Sequence, residues 1–120
     1  MEDLKLCESE YRFMMLIWDA EPLTSRQLVE LALEQLGWKK STTYTVLKKL
    51  TERGFARNEE SIVTSLIPKE AVQTYESHRI VERTFGGSLP GFLAAFMGER
   101  KLTREEADAL MALIDQHKEG

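Results

Sequence analysis

The residues of this chain best suited to chemistry are the hydroxyl and cationic side chains crowded between Trp38 and Phe55. That segment is WKKSTTYTVLKKLTERGF. From Trp38 to Asn58 there are six Lys or Arg against one acid, Glu52, a local charge of +5, whereas the whole chain carries −4 and the remainder therefore −9. Lysine and arginine neutralise phosphates, and serine and threonine hydroxyls hydrogen-bond to phosphates or base edges. The chemistry indicated is non-covalent binding of a polyanion.

Covalent and metal-dependent catalysis lack the residues they need. The single cysteine, Cys7, cannot form an internal disulfide, and His78 and His117 are isolated on segments that read as exposed helices. The sequence contains no H-E-x-x-H, no C-x-x-C and no glycine-rich phosphate loop. We therefore expect no enzyme, no metal site and no cofactor.

Length and composition indicate an ordinary globular protein. The chain has 120 residues, 42% of them hydrophobic and 30% charged, enough to bury one core. No apolar run approaches the roughly 18 residues of a membrane span, and the start MEDLKLCESE is too acidic and polar for a signal peptide. We expect a cytoplasmic protein that does not insert into membranes.

Two helices are predicted before the basic segment. Residues 8–19 place Tyr11, Met14, Met15 and Trp18 at i, i+3, i+4 and i+7, an amphipathic stripe that we expect to pack into the core. After Glu21-Pro22, a T-x-x-Q capping box of Thr24 and Gln27 starts the second helix. It should end at Gly37, with the following residues lining one side: Leu28, Leu31, Ala32 and Leu36.

The basic segment itself is predicted to be a third helix, followed by a hairpin. Ser41 can act as its N-cap and Gly54 as its left-handed C-terminal cap. The inner face would hold Thr43, Val46, Leu47 and Leu50. FARN and IVTSLI then read as two short strands around a polar turn, and Pro68 stops the second. Three helices and a hairpin predict a mainly α, winged helix-turn-helix domain over residues 1–68, with a wing at 55–67.

Residues 69–120 are predicted to be helical throughout. A helix at 69–85 ends at Gly86-Gly87, Ser88 caps a short apolar helix, and a T-x-x-E capping box at Thr103 starts the last helix. Large exposed apolar patches are unusual on monomers, so we expect a three-helix dimerisation region that buries them against a second copy. The alternative is that these helices fold back on the N-terminal domain. The predicted interface is Leu89, Phe92, Leu93, Phe96, Met97, Leu110, Met111 and Ile114.

Charge, hydroxyls and fold together predict contact with double-stranded DNA. A recognition helix enters the major groove with its amino-terminal residues facing base edges, and its free N–H groups favour phosphate. We expect Ser41, Thr42, Thr45 and Lys49 to read bases, whereas Lys48, Arg53 and Arg57 neutralise phosphate. The other predicted contacts are Lys39, Lys40, Tyr44, Asn58, Thr24, Ser25 and Arg26.

Three motifs make the chain resemble the BlaI/MecI penicillinase-repressor family, which also includes copper-transport repressors of the CopY kind. They are E-Y-x-x-M-x-x-I-W from Glu10 to Trp18, W-x-x-S-T-x-Y-T-x-L-x-x-L-x-x-R-G-F from Trp38 to Phe55, and F-x-G-S-x-x-x-F-L from Phe85 to Leu93. The resemblance implies a homodimeric transcriptional repressor whose winged helix binds a palindromic operator. It runs from about Leu6 to Ile114.

The same resemblance implies a release mechanism. In the penicillinase branch a membrane-embedded sensor protease cuts an Asn-Phe bond in the dimerisation region, and the matching bond here is Ala95-Phe96, with alanine in place of asparagine. In the copper branch a Cys-rich C-terminal motif binds metal. This chain ends LIDQHKEG without cysteine, so copper sensing through that motif is not implied.

Two other classes of function fit a winged helix with a basic face. One is a protein-interaction module whose basic surface meets an acidic partner. The other is a regulator that binds a small effector in a cleft between wing and dimerisation region. A repressor binds DNA and the protein-interaction module does not, so a DNA-binding assay distinguishes the two. A metabolite that raises the melting temperature identifies the effector-binding regulator.

Overall fold

The computed structural model of the chain describes residues 3–120, and its architecture is the predicted mainly α, winged-helix fold. Its three short strands form one antiparallel sheet. In chain order the elements are α1 (Glu8–Ala20), β1 (Leu23–Thr24), α2 (Ser25–Leu36), α3 (Lys40–Glu52), β2 (Ala56–Glu59), β3 (Ile62–Ser65), α4 (Lys69–Phe85), α5 (Leu89–Met97) and α6 (Arg104–His117).

The chain forms two compact units that divide within α4. The first ends at His78, and the second runs from Arg79 to Gly120. This boundary lies ten residues beyond the one predicted after Pro68. The assignment of DNA binding to the first part and dimerisation to the second stays a prediction.

The core of the first unit lies between α1, α2, α3 and the sheet. Its largest fully buried apolar side chains include Phe13, Ile17, Leu28, Leu50 and Phe55. These residues come from α1, α2, α3 and the position just before β2, so burying them together fixes the positions of the three helices relative to one another.

The packing face of α1 differs from the prediction. Met14 is buried, but Tyr11, Met15 and Trp18 are only partly buried, and the core side is centred on Phe13 and Ile17. Residues 13–18 are all apolar, so the sequence pattern does not single out one face of the helix. Tyr11 and Trp18 pack against the edge of the core, as predicted, and their rings meet edge-on with centroids 5.6 Å apart.

The second helix begins and ends where the sequence predicted. The hydroxyl of Thr24 accepts the N–H of Gln27 at 3.0 Å, and the Gln27 side chain accepts the N–H of Thr24 at 2.8 Å, which completes the capping box. Gly37 ends the helix in the left-handed region at φ 70°. Both helix signals are therefore confirmed.

The start of α3 differs from the prediction. Ser41 is not the N-cap: that position is Lys39, and its carbonyl accepts the N–H of Thr43 at 3.0 Å. The ring of the preceding Trp38 stacks on Phe13, with centroids 5.3 Å apart. This packing anchors the chain just before Lys39, so tertiary contacts outweigh the local preference for serine at the cap. Gly54, at φ 81°, follows the helix as predicted.

The wing, residues 55–67, is a tight hairpin on a three-stranded sheet of order β1-β3-β2. Glu60 and Ser61 form its turn with φ values of 50° and 63°. The two-residue strand β1, which pairs Leu23 with Val63, was not predicted, because two residues carry no alternation pattern.

In the second unit the predicted helix starts are confirmed. The Ser88 hydroxyl accepts the N–H of Gly91 at 2.9 Å, and Thr103 and Glu106 form a complete capping box. Phe92 contacts the rings of Phe85 and Phe96, with centroids 5.5 and 6.2 Å away. Neither α5 nor α6 has a fully buried residue. Much of their apolar surface is therefore exposed in a single chain.

Candidate nucleic-acid interface

The basic helix α3 presents one face to the core and the opposite face to solvent. Thr43, Leu47 and Leu50 are buried, as predicted. With 3.6 residues per turn, the positions directly opposite them are 41, 45, 48 and 52. Their side chains, Ser41, Thr45, Lys48 and Glu52, are exposed and define what we call the outer stripe.

The amino end of α3 is electropositive and lacks a side-chain cap. Lys39, at the N-cap, makes no side-chain hydrogen bond to the first turn, and that turn contains no acidic residue. Lys39 and Lys40 are both exposed there. By contrast, α2, α5 and α6 each begin with a hydroxyl that accepts a backbone N–H. Free N–H groups, the helix dipole and two lysines together favour an anion at this position.

The hydroxyl residues of α3 divide between internal and exposed roles. Thr45 is exposed and its hydroxyl donates to the carbonyl oxygen of Ser41 at 2.9 Å, which leaves its lone pairs and methyl group toward solvent. Ser41 and Thr42 are exposed in the first turn. Tyr44 lies beside the outer stripe with 38% of its surface exposed. Hydroxyls and a phenol are thus available on the same helix as the lysines.

Lys49 and Arg53, at the carboxyl-terminal end of α3, are directed to an acid on α1. Lys49 Nζ lies 2.9 Å from Oε2 of Glu10, and Arg53 Nη1 lies 3.7 Å from Oε1. Arg53 also donates to the carbonyl oxygen of Lys5 at 2.6 Å and lies over the ring of Phe55. Arg53 is therefore held at several points, whereas the side chain of Lys49 is still 61% exposed.

Glu10 is a charged residue that is almost fully buried, and the sequence prediction gave it no role. Burial acts to raise the pKa of its carboxyl group, but the N–H of Cys7, 2.9 Å from Oε1, and the ammonium of Lys49 outweigh burial. The pKa therefore lies below its ordinary value, and the group is ionised at neutral pH. The available signal was an acid at the start of the motif from Glu10 to Trp18, just before the apolar run of residues 13–18.

The wing has one basic side chain, Arg57, and two acids, Glu59 and Glu60. Arg57 and Asn58 are exposed on β2, and Arg57 Nε lies 3.7 Å from Glu59. The turn at Glu60 and Ser61 is held to α2 by a hydrogen bond from the N–H of Ser25 to the Ser61 carbonyl, at 2.8 Å. The wing is thus attached to the start of the helix that precedes α3.

The three residues predicted to bind phosphate at the start of α2 are in different situations. Thr24 already accepts the N–H of Gln27, and Ser25 is buried, with its N–H bonded to the wing. Arg26 is exposed. Of the three, the Arg26 side chain is the one that extends into solvent.

Across residues 3–120, no three His, Cys, Asp or Glu side chains lie close enough together to hold a metal ion. In the same part of the chain, none of the helices combines the length and apolar character needed to cross a bilayer.

The chain matches a family model described as penicillinase repressor over residues 6–116. It is 20% identical over 118 residues to the penicillinase repressor of Bacillus licheniformis, a match that covers 95% of this chain and 92% of that protein. It is 19% identical over 116 residues to the methicillin resistance regulatory protein MecI of Staphylococcus aureus, covering 93% and 94%. An uncharacterized 16.5 kDa protein of Latilactobacillus sakei is 23% identical over 114 residues, covering 92% and 78%.

The extent of the family match confirms the resemblance predicted from the three motifs, because it includes the winged helix as well as α5 and most of α6. Families of this kind are non-enzymatic. The protein belongs to the penicillinase repressor family of transcriptional repressors.

Proposed function

We propose that this repressor acts as a homodimer that binds a palindromic operator in double-stranded DNA through α3 and the wing. The observation that carries the proposal is the solvent-exposed face of α3, where hydroxyls and lysines lie opposite the core and no other element of the first unit packs on them. A major groove admits one α-helix, and exposed polar side chains on that helix can meet base edges. Such a protein acts on chromosomal DNA in the cytoplasm.

The roles within the interface follow from position on α3. Ser41, Thr42 and Thr45 are exposed in the amino-terminal half, the part of a recognition helix that faces base edges. Lys39 and Lys40 lie at the uncapped start of α3, and we assign them the role of contacting phosphate. Lys48 and Arg57 neutralise phosphate on either side of the groove. The other members of the proposed interface are Tyr44, Arg53, Asn58 and Arg26, whereas Lys49, which the sequence predicted to read bases, is paired with Glu10.

The second unit supports the homodimer. Leu89, Phe96, Met111 and Ile114 each expose more than half of their surface in a single chain, and water contact with that much apolar surface is unfavourable. A second copy would cover it together with Phe92, Leu93, Met97 and Leu110. Two-fold symmetry would then place two copies of α3 in successive major grooves, about 34 Å apart.

DNA binding is tested with the intact protein and the DNA upstream of its own gene. We expect a preference for one near-symmetric site over random duplex, and a fall of log K with log salt concentration of about 0.9 for each phosphate neutralised. The double variant K39Q/K40Q should reduce the salt slope. The matched control, K101Q/K118Q, replaces two exposed lysines of the second unit and should not. A flat salt response, or equal affinity for all DNA, would contradict the proposal.

Release by proteolysis is proposed at the Ala95-Phe96 bond. Both residues are exposed on α5, so the bond is reachable from solvent, although the helix must unwind locally for a protease to act. A sensor protease in the membrane would be the partner. Mass spectrometry of the protein from β-lactam-treated cells should reveal a fragment that ends at Ala95, absent in the A95P variant. Release of the operator by the uncut chain would refute this mechanism.

A further inference from the structure

Glu10 joins three parts of the first unit. Its carboxylate accepts the N–H of Cys7 in the segment before α1, lies 2.9 Å from the ammonium of Lys49, and is approached by Arg53 at 3.7 Å. Only 6% of the surface of Glu10 is exposed. A carboxylate so far from water requires a compensating charge close to it.

Lys49 supplies that charge and is therefore not free to serve another anion. Among the described residues, Oε2 of Glu10 receives no well-aligned hydrogen bond, so the adjacent ammonium is its main compensation. If Lys49 moved onto a DNA phosphate, this buried oxygen of Glu10 would lose its compensating charge. Arg53 approaches the other oxygen, at the longer distance, and is held by Lys5.

The neighbouring Lys48 provides a natural comparison. It lies one residue away, about 100° around the helix, on the outer stripe. None of the ion pairs found among residues 3–120 involves it. Two adjacent lysines of α3 therefore carry the same formal charge but differ in their availability to phosphate.

We propose that Glu10 is a specificity-determining residue that withholds Lys49 from DNA phosphates. Phosphate contacts strengthen binding to every duplex, whereas base contacts discriminate among sequences. By retaining one lysine, Glu10 lowers sequence-independent affinity and leaves discrimination to the hydroxyl residues of α3. The inference rests on the proposed function, since it assigns a role within DNA binding.

The test compares salt slopes on random-sequence duplex for Glu10→Gln, Lys49→Gln, Lys48→Gln and the double variant E10Q/K49Q. Glutamine at position 10 can still accept the Cys7 N–H but carries no charge to retain Lys49. We expect E10Q to steepen the slope by about 0.9, so that its affinity falls about 3.5-fold more than that of the unsubstituted protein between 50 and 200 mM salt. K49Q should remove that increase in the E10Q background and leave the slope of the unsubstituted protein unchanged.

K48Q is the matched control and should flatten the slope by about 0.9 by itself. An unchanged slope in E10Q, or equal flattening by K49Q and K48Q in the unsubstituted background, overturns the inference while leaving DNA binding established. If E10Q does not fold, as judged by circular dichroism, the comparison of K49Q with K48Q decides alone. Absence of binding by the unsubstituted protein to any duplex at low salt would overturn the proposed function and the inference together.

Discussion

Oε2 of Glu10 lies 2.9 Å from Nζ of Lys49, and this ion pair joins the first turn of α1 to the last turn of α3. The two residues are 39 positions apart in sequence. Because Oε1 of the same carboxylate accepts the N–H of Cys7, a single side chain caps one helix and orients a cation of another. The surface charge of α3 is thus set partly from within the protein.

Stability should depend on the ionisation of Glu10. Its pKa is lower in the folded chain than the ordinary value of 4.5, so the folded state binds fewer protons than the unfolded state in this range. The ion pair then stabilises the fold above about pH 4.5, and that contribution is lost as the pH falls through the folded-state pKa. We expect Glu10→Gln to lower the free energy of unfolding by about 1 kcal/mol at pH 7.

Urea denaturation at pH 7 and at pH 3 measures this dependence. The difference between E10Q and the unsubstituted protein should shrink at the lower pH, because protonation of Glu10 removes the charge on which the ion pair depends. The matched control is Glu30→Gln, an exposed acid of α2, which should change stability little at either pH. A destabilisation by E10Q that is the same at both pH values would exclude the charge as its cause.

Sequence discrimination should depend on Thr42 more than on Arg57. Removing the exposed hydroxyl of Thr42 by Thr42→Ala should weaken operator binding by about 1 to 3 kcal/mol and leave binding to random duplex unchanged. Arg57→Ala removes the proposed phosphate contact on the wing and should weaken binding to both duplexes alike. Fluorescence anisotropy with the two duplexes gives the ratio of operator affinity to random-duplex affinity. The control is Thr74→Ala, which changes an exposed threonine of α4. Equal losses on both duplexes for Thr42→Ala would rule out base contact by its hydroxyl.

The wing turn stores backbone strain that substitution can release. Glu60 and Ser61 have φ values of 50° and 63°, a conformation that Asn-Gly adopts readily in two-residue hairpins. The double substitution Glu60→Asn, Ser61→Gly should raise the free energy of unfolding by about 1 kcal/mol. The hydrogen bond from Ser25 uses the backbone carbonyl of residue 61 and is retained.

Thermal unfolding followed by circular dichroism checks the effect of the turn. Gly54→Ala serves as the opposite control, because φ is 81° at that position and alanine there should lower stability by about 1 kcal/mol. A lower melting temperature for the Asn-Gly variant would show that Glu60 and Ser61 make stabilising interactions that exceed the strain.

Dimer formation should be sensitive to Ile114. This residue of α6 has 56% of its surface exposed in a single chain, and a glutamate at its position would place a charge in the proposed apolar interface. Ile114→Glu should raise the dimer dissociation constant by about 30-fold, corresponding to about 2 kcal/mol. Sedimentation velocity over a concentration series measures it. Leu33→Glu, on α2 with 61% exposure, is the control, and equal behaviour of the two variants would place the dimer contact elsewhere.

Local signals in the sequence were sufficient for most helix boundaries and for the fold class. The capping boxes at Thr24 and Thr103, and the glycines after α2 and α3, depend on hydrogen bonds and backbone angles among residues a few positions apart. The buried face of α3 followed from a clean 3.6-residue period. Interactions within one turn of helix need no knowledge of the rest of the chain, which is why these predictions held.

What the sequence alone determined was therefore a winged helix with a basic, hydroxyl-bearing third helix, and membership of a repressor family. Only the tertiary structure decided that α3 begins at Lys40, because Trp38 stacks on Phe13, and that α1 packs through Phe13 and Ile17. It also decided that Lys49, unlike Lys48, is paired with Glu10. These outcomes depend on which residues from distant parts of the chain share one core, and packing between elements is not encoded in any local period.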